Sequence, residues 1–364
     1  MNQLLYIIIS LFFSLDPSGN YNREASAGDL INDGPYIYMI NNKLKVKWIE
    51  NSVCKDEFLI RDNFNEIREK FGLSFNYNDL TDIYRLKPEC NQTYINIDSI
   101  SVISDVHGEY KTYIDLLKGI GIVDKNLKWS FGTGHLVILG DIFDRGDMVT
   151  EVLWHLFGLE KQADQAGGMV HVLLGNHEFM ALRNDLGETH EKYRKVETIA
   201  GSRYAELYSE KSVLGRWLRT KPVIITINDL LFVHGGISME MAKKKLKIRQ
   251  INKIFTTEVL GKDLKEVYEI ESLKFLNQTD GPIWYRGYFN DSAFCETKID
   301  SILTFYGKKH IVVGHTPKPE IISLFGSKII GADAGITNNL PGEMLIYKSG
   351  SFYKCFSTGR RIKL

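Results

Sequence analysis

From Ile100 onward, short apolar runs alternate with segments whose apolar residues recur every three or four positions. The runs are SVIS (101–104), HLVIL (135–139), MVHVLL (169–174), VIITI (223–227), LLFV (230–233) and HIVV (310–313). They are short, rich in β-branched residues and followed by Gly, Asp, Asn or His, which predicts strands. Between the first three lie Tyr110–Gly119 and Met148–Gln165, whose spacing predicts helices. Strand, helix, strand, helix implies a βαβ core with crossovers covering a sheet.

Outside that rhythm the pattern changes. Tyr36–Ile40 and Leu44–Ile49 read as a hairpin around Asn41-Asn42-Lys43, and Asn63–Phe71 as a helix. Residues 179–220 are helical and polar, and about 250–300 is Lys-rich with a later aromatic cluster. Both interrupt the alternation and are expected as insertions. The tail 321–356 carries short apolar runs separated by Gly-containing turns, which predicts a β-meander forming a second sheet. At the N-terminus, LLYIIISLFFSL (4–15) is too short to span a bilayer and resembles the apolar core of a signal peptide. Ala-Ser-Ala at Ala25–Ala27 supplies a cleavage site, although no Lys or Arg precedes the run. The expected organisation is a signal peptide over 1–27, an N-terminal extension over 28–99 and a main domain over 100–364 with insertions at about 179–220 and 250–300. The protein is then exported, periplasmic or secreted. If the run is instead a buried strand or helix, it is cytoplasmic.

Composition narrows the partners. Forty-five Lys+Arg balance 45 Asp+Glu, which removes any general attraction to nucleic acid or anionic membrane. A hydrophobic content of 44% over 364 residues supports a large core without structural metal or disulfides. Cys54, Cys90, Cys295 and Cys355 form no CxxC pair, leaving buried thiols or disulfides of unknown pairing.

The chemistry sits where the runs end. SVIS leads to Asp105 and His107, HLVILG to Asp141, Asp144 and Arg145, MVHVLLG to Asn176, His177 and Glu178, LLFV to His234, and HIVVG to His315. Ligands bind at the carboxyl ends of strands in α/β sheets. Oxygen and imidazole donors without thiolates suit Mn, Fe or Zn in an open site. A single Asp or Asn after a strand is ordinary turn chemistry. Turn chemistry does not call for His at four tips. The remaining histidines, His135, His155, His171, His190 and His310, fall at strand starts or in helices and insertions, and are expected to be structural or superficial.

DVH, GDIFDRG, GNHE, VHGG and GHT, in that order, resemble the signatures of the calcineurin-like metallophosphoesterase superfamily, in its phosphoprotein phosphatase form. The likeness is strongest to the Shewanella-like protein phosphatase group, whose second phosphate-binding arginine segment GPIWYRGY (281–288) resembles. It spans about 100–345. No segment resembles the SAPNYC of eukaryotic phosphoprotein phosphatases, GADAGI (331–336) stands roughly in its place, and the first hundred residues have no counterpart in those enzymes. The resemblance implies a four-layer α/β/β/α sandwich with two mixed sheets and two metal ions at the strand C-terminal ends. Asp105, His107 and Asp141 would hold one ion, and Asp141, Asn176, His234 and His315 the other, with Asp141 bridging. A hydroxide held between the ions would attack phosphorus in line. Arg145 and Arg286 would grip phosphate, alongside Asn176 and His177. His177 would be the general acid, oriented by Asp144, and Glu178 would support the ligands. Asp147 reads as the N-cap of the helix from Met148. The implied substrate is a phosphorylated protein or peptide, with phosphotyrosine as open as phosphoserine or phosphothreonine. A diadenosine tetraphosphatase-type nucleotide hydrolase and a silent phosphate-binding sensor are the alternatives.

Overall fold

The computed structural model describes residues 30–88, 92–337 and 340–364. The expected signal peptide lies outside these residues. Among the described residues, no helix is long and apolar enough to cross a membrane.

The predicted strands appear as β5 (Ser99–Ile103), β6 (His135–Ile138) and β7 (Met169–Val172), and as β8 (Ile224–Ile227), β9 (Leu230–Val233) and β10 (His310–Val313). Ahead of them come β1 (Asp33–Ile40), β2 (Lys43–Glu50), β3 (Val53–Leu59) and the short β4 (Thr93–Tyr94). After them come β11 (Ile322–Leu324), β12 (Ile329–Gly331), β13 (Met344–Lys348), β14 (Ser351–Cys355) and β15 (Arg361–Lys363). One six-stranded sheet has the order β15-β14-β13-β5-β6-β7 and the other β11-β12-β10-β9-β8-β4. β5, β6 and β7 are mutually parallel, as the intervening helices require, and β10 lies parallel to both β9 and β12.

Both sheets are mixed, and they pack face to face. Val102 and Val137 from one meet Phe232, Val312 and Ile330 from the other in a shared interior. Their strand neighbours Ile103, Leu136, Val233 and Ile311 point the opposite way, into the larger helix-covered core. Strands buried on both faces need apolar residues at every position, which is why these runs are continuous rather than alternating. Helix Val149–Gln165 packs on β7 and helix Ile248–Ile254 on β8, completing four layers.

The tail departs from expectation. Its strands do not build a sheet of their own. β11 and β12 extend the β10 edge, while β13–β15 run antiparallel from the β5 edge. Strand–turn–strand patterning reports local hairpins; it carries no information about which open edge each hairpin joins. The predicted N-terminal hairpin forms, turning through Asn41 and Asn42, both at positive φ as a tight two-residue turn requires. With β3 it makes a separate three-stranded sheet.

That sheet belongs to the same compact unit as the rest, Ile31–Leu364. It is tied down by a buried charge. The Asp33 carboxylate, wholly buried, pairs with Lys192 Nζ at 2.7 Å and accepts from the hydroxyls of Tyr36 and Thr150. Lys192 also donates to the Asp147 carbonyl at 2.6 Å. One ammonium thus joins the N-terminal strand, helix Glu191–Ala200 and the loop that carries Asp144 and Arg145. Removing one partner of a buried pair strands the other in low dielectric. Lys192→Met is therefore expected to lower unfolding stability by about 3–5 kcal/mol, read as an earlier urea midpoint. An unchanged midpoint would show that the pair is not what fixes this sheet.

Candidate metal centre and phosphate-binding site

Strand tips from both sheets converge on one site. β5 delivers Asp105 and His107, β6 Asp141, and β7 runs through Gly175 into helix Asn176–Leu182. From the other sheet β9 delivers His234 and β10 His315. All five tip sets are brought together, with their ligand residues buried. Asp105, His107, Asp141, Asp144, Arg145 and His315 all stand at positive φ, between 44° and 69°. Left-handed backbone at non-glycine residues is uncommon and costs on the order of 1 kcal/mol each, so the surrounding fold must enforce it. Gly140 makes the approach possible, since a Cβ there would lie 2.4 Å from the Gly175 nitrogen.

Asp141 occupies the middle. It belongs to two groups whose ligand atoms lie within 4.8 Å of one another: His107, Asp141 and His177 on one side, Asp141, His234 and His315 on the other. On the second side, His234 Nε2 lies 3.1 Å from Asp141 Oδ2, 3.0 Å from Asn176 Oδ1 and 3.2 Å from His315 Nδ1. The far nitrogens are fixed. His234 Nδ1 faces the Leu139 carbonyl at 2.7 Å, and His315 Nε2 faces the Trp284 carbonyl at 3.2 Å. A carbonyl demands N–H there, so each neutral ring turns its lone pair inward. Four lone-pair donors then converge, a set that only a proton or a cation reconciles.

The first side is looser. His107 Nδ1 meets the Phe143 carbonyl at 2.6 Å, and its buried Nε2 has no hydrogen-bond partner. His107 Nε2 and His177 Nε2 each lie 3.8 Å from Asp141 Oδ2. His177 stands in this group where the sequence reading places Asp105. The Asp105 carboxylate is adjacent, with Oδ1 accepting from the Ser104 hydroxyl and from the His315 N–H at 3.1 Å.

His177 is held from its other nitrogen, with Nδ1 2.7 Å from Asp144 Oδ2. Asp144 is in turn fixed by the Thr189 hydroxyl at 2.7 Å. Thr189 was not legible in the sequence, because it arrives from a separate loop. Glu178 acts as a brace: Oε2 accepts from the N–H groups of Asp141 (2.9 Å) and Gly175 (2.7 Å), and Oε1 from that of Ile142 (2.7 Å). It locks the GDIFD turn to the GNHE turn. A second unread residue is Asp333, after β12. It is buried beside Asp105, and its Oδ2 lacks a partner. The signal was a further strand tip ending in a carboxylate, within GADAGI.

The two arginines face the same centre. Arg286 donates to the His315 carbonyl, and its charge is disfavoured by burial and by Arg145 but favoured by Asp105 and Asp141. Arg145 is exposed, with Glu188 Oε2 at 3.8 Å as its carboxylate neighbour. Neither arginine is consumed by a tight ion pair.

Electrostatically the site carries an excess of acid. Burial pushes Asp105 and Asp333 up, each reinforced by a neighbouring carboxylate. Burial and Asp141 raise Glu178 to about 7. Burial opposes charge on His234, yet Asp141, Asp105 and Glu178 lift it to about 9. Burial takes His107 to about 3 and, with His234 adjacent, His315 to about 2, keeping both rings neutral and available as ligands. Crowded carboxylates, inward lone pairs and the orphaned Nε2 of His107 fit divalent cations bound on either side of Asp141.

Residues set aside as bystanders are accounted for. His135 and His171 bond one another at 2.9 Å, His155 contacts Tyr113, His190 accepts from Lys192 N, and His310 contacts the Ser327 carbonyl. Asp147 does not cap the following helix. Met148 holds the cap position without a side-chain bond, and Asp147 contributes its carbonyl to Lys192 and Tyr193 instead. Cys54, Cys295 and Cys355 are free thiols, and Cys295 is exposed rather than buried; Cys90 lies outside the described residues.

Comparison with known proteins matches this geometry. Residues 99–319 match the calcineurin-like phosphoesterase family. The fold superposes on the crystal structure of a cold-active protein-tyrosine phosphatase from a psychrophilic Shewanella species with a TM-score of 0.83 and 37% identity, covering 92% of this chain and 99% of that one. That coverage takes in most of the N-terminal extension. Shewanella-like protein phosphatase 1 of Plasmodium berghei is 26% identical over 60% of this chain and 61% of its own length. Shewanella-like protein phosphatase 2 of Arabidopsis thaliana is 22% identical over 66% and 72%. With the family match spanning more than half of the sequence and the acid–imidazole centre at its strand tips, the chain belongs to the calcineurin-like phosphoesterases.

Proposed function

We propose that this protein is a metal-dependent phosphomonoesterase that acts on phosphorylated proteins. The observation that carries the reading is the position of Asp141, shared by two donor groups, with His177 of the first group held by Asp144. The phosphatase names of the relatives support the substrate class. Asp105, His107 and Asp141 would hold one cation, and Asp141, Asn176, His234 and His315 the other, with Mn, Fe or Zn suiting the donors. Bound there, the cations supply Lewis acidity, polarising phosphoryl oxygens and acidifying water.

The chain's own residues do the rest. Arg145 and Arg286 present planar guanidinium forks to the phosphate oxygens, matching a tetrahedral anion as a lysine could not. Asn176 divides its amide between the metal side and the substrate. His177, as the imidazolium, delivers its Nε2 proton to the leaving oxygen, while Asp144 accepts Nδ1–H, favours the charged ring and fixes its orientation. Since water is the nucleophile, no phosphoenzyme forms.

Three outcomes test this account. Purified protein supplied with Mn²⁺ is expected to hydrolyse p-nitrophenyl phosphate and phosphopeptides, and to lose that activity on chelation. Cleavage of diadenosine tetraphosphate without phosphopeptide turnover would overturn the substrate class. His177→Asn is expected to slow hydrolysis of phosphoserine, an alkyl ester, by at least about tenfold more than that of an aryl ester, because a phenolate (pKa about 10) leaves with less help. Equal losses would remove His177 as the proton donor. Glu178→Ala unties the two ligand-bearing turns. It is expected to weaken Mn²⁺ binding by about 10–100-fold in calorimetric titration, and unaltered affinity would contradict the bracing role.

A further inference from the structure

Beside Arg286 a groove of about 1100 Å³ opens between helix Met239–Lys243 and the segment running from Asn277 to Lys298. Both walls spring from the metal-centre loops. The helix begins at Met239, just past the His234-Gly235-Gly236 turn, and Arg286, which lines the groove, donates to the His315 carbonyl. The wall is rigid where it meets the site. The Pro282 carbonyl accepts from Gly235 and Gly236, at 2.8 and 3.1 Å, and the Tyr288 hydroxyl bonds both the N–H and the carbonyl of Ile237 at 2.9 Å. The inner end of the groove is therefore the place where a phosphoryl group on Arg286 would continue into the rest of its substrate.

Its size and charge define what fits. A compact small ligand fills roughly 300–1000 Å³, so the groove exceeds what a phosphate monoester alone needs. Trp284 offers half-exposed aromatic surface over the largely buried Tyr285 and Phe294, and Gln278, Thr279 and Asn290 offer exposed hydrogen-bonding groups, a mixture suited to polypeptide. The charges on its walls largely cancel in place. Glu240 pairs with Lys243 at 2.7 Å and Asp291 with Lys298 at 3.6 Å. Asp280 alone among the acidic residues lining the groove has no ion-pair partner among the described residues, and it lines the same groove as Tyr285 and Arg286.

We propose that this groove seats the polypeptide flanking the phosphorylated residue, and that Asp280 selects substrates with a lysine or arginine beside that residue. The inference rests on the phosphoprotein reading and adds to it a sequence preference. A partly exposed ion pair has a modest effect, so the preference is about two- to fivefold in kcat/KM.

The test uses the full chain with Mn²⁺ and two phosphotyrosine peptides that differ only in carrying Lys or Glu near the phosphorylated residue, with that position varied across a small set. The wild-type protein is expected to favour the Lys peptides by about two- to fivefold, with the preference shrinking in high salt, and Asp280→Lys to reverse it. The ratio within one protein preparation is independent of how much of a variant folds. No preference in the wild type, or the same preference in Asp280→Lys, would overturn the role of Asp280. Hydrolysis of p-nitrophenyl phosphate with no turnover of any peptide would strike instead at the phosphoprotein reading, and no turnover of either at the phosphatase reading itself.

Discussion

A single buried carboxylate organises this protein. Asp141 is almost fully excluded from solvent, where an isolated negative charge is strongly disfavoured. It stays ionised because His234 and His177 beside it more than offset burial, holding it well below the usual carboxylate range. The same residue is then too acidic a neighbour for the rest of the site: it raises Glu178, Asp105 and His234. The centre as a whole is negative and rich in lone pairs, and positive charge is what relieves it. In the proposed function, metal binding answers that imbalance through the imidazoles and carboxylates, and Arg145 and Arg286 would take the phosphate.

The fold exists to hold those groups in place. Two sheets packed face to face bury their central strands, β5–β6 and β8–β9 among them, on both sides, so those strands cannot slide without exposing apolar surface. Rigid strands aim their tips at a common point, and Asp105, His107, Asp141 and His315 sit just beyond them in left-handed backbone that an unconstrained chain would not keep. Glu178 ties two of these turns together from beneath through buried N–H groups. The Asp33–Lys192 pair extends the same logic outward, anchoring the N-terminal sheet to the loop that bears Asp144 and Arg145.

Much of this was legible because the physics is local. Continuous apolar runs ending in Asp, Asn or His identify buried strands with functional tips, and five of the six core strands could be paired with the residue each delivers. The resemblance to calcineurin-like enzymes supplied roles for these residues that spacing alone would not. What stayed hidden depends on contacts distant in sequence. Nothing near Asp33 signals a partner at Lys192, and nothing near Asp144 signals Thr189. The edge each tail hairpin would join was equally undetermined, and so the expected separate sheet became extensions of two existing ones. An acidic residue before a helix suits a cap, but the helix begins at Val149 and puts Met148, not Asp147, at the cap position.

The most direct measurement is anomalous diffraction from crystals equilibrated with Mn²⁺. The account predicts two peaks about 3.5–4 Å apart, one on each side of the Asp141 carboxylate, with His234 and His315 ligating one ion and His107 the other. A single ion, or two ions that do not share Asp141, would contradict it.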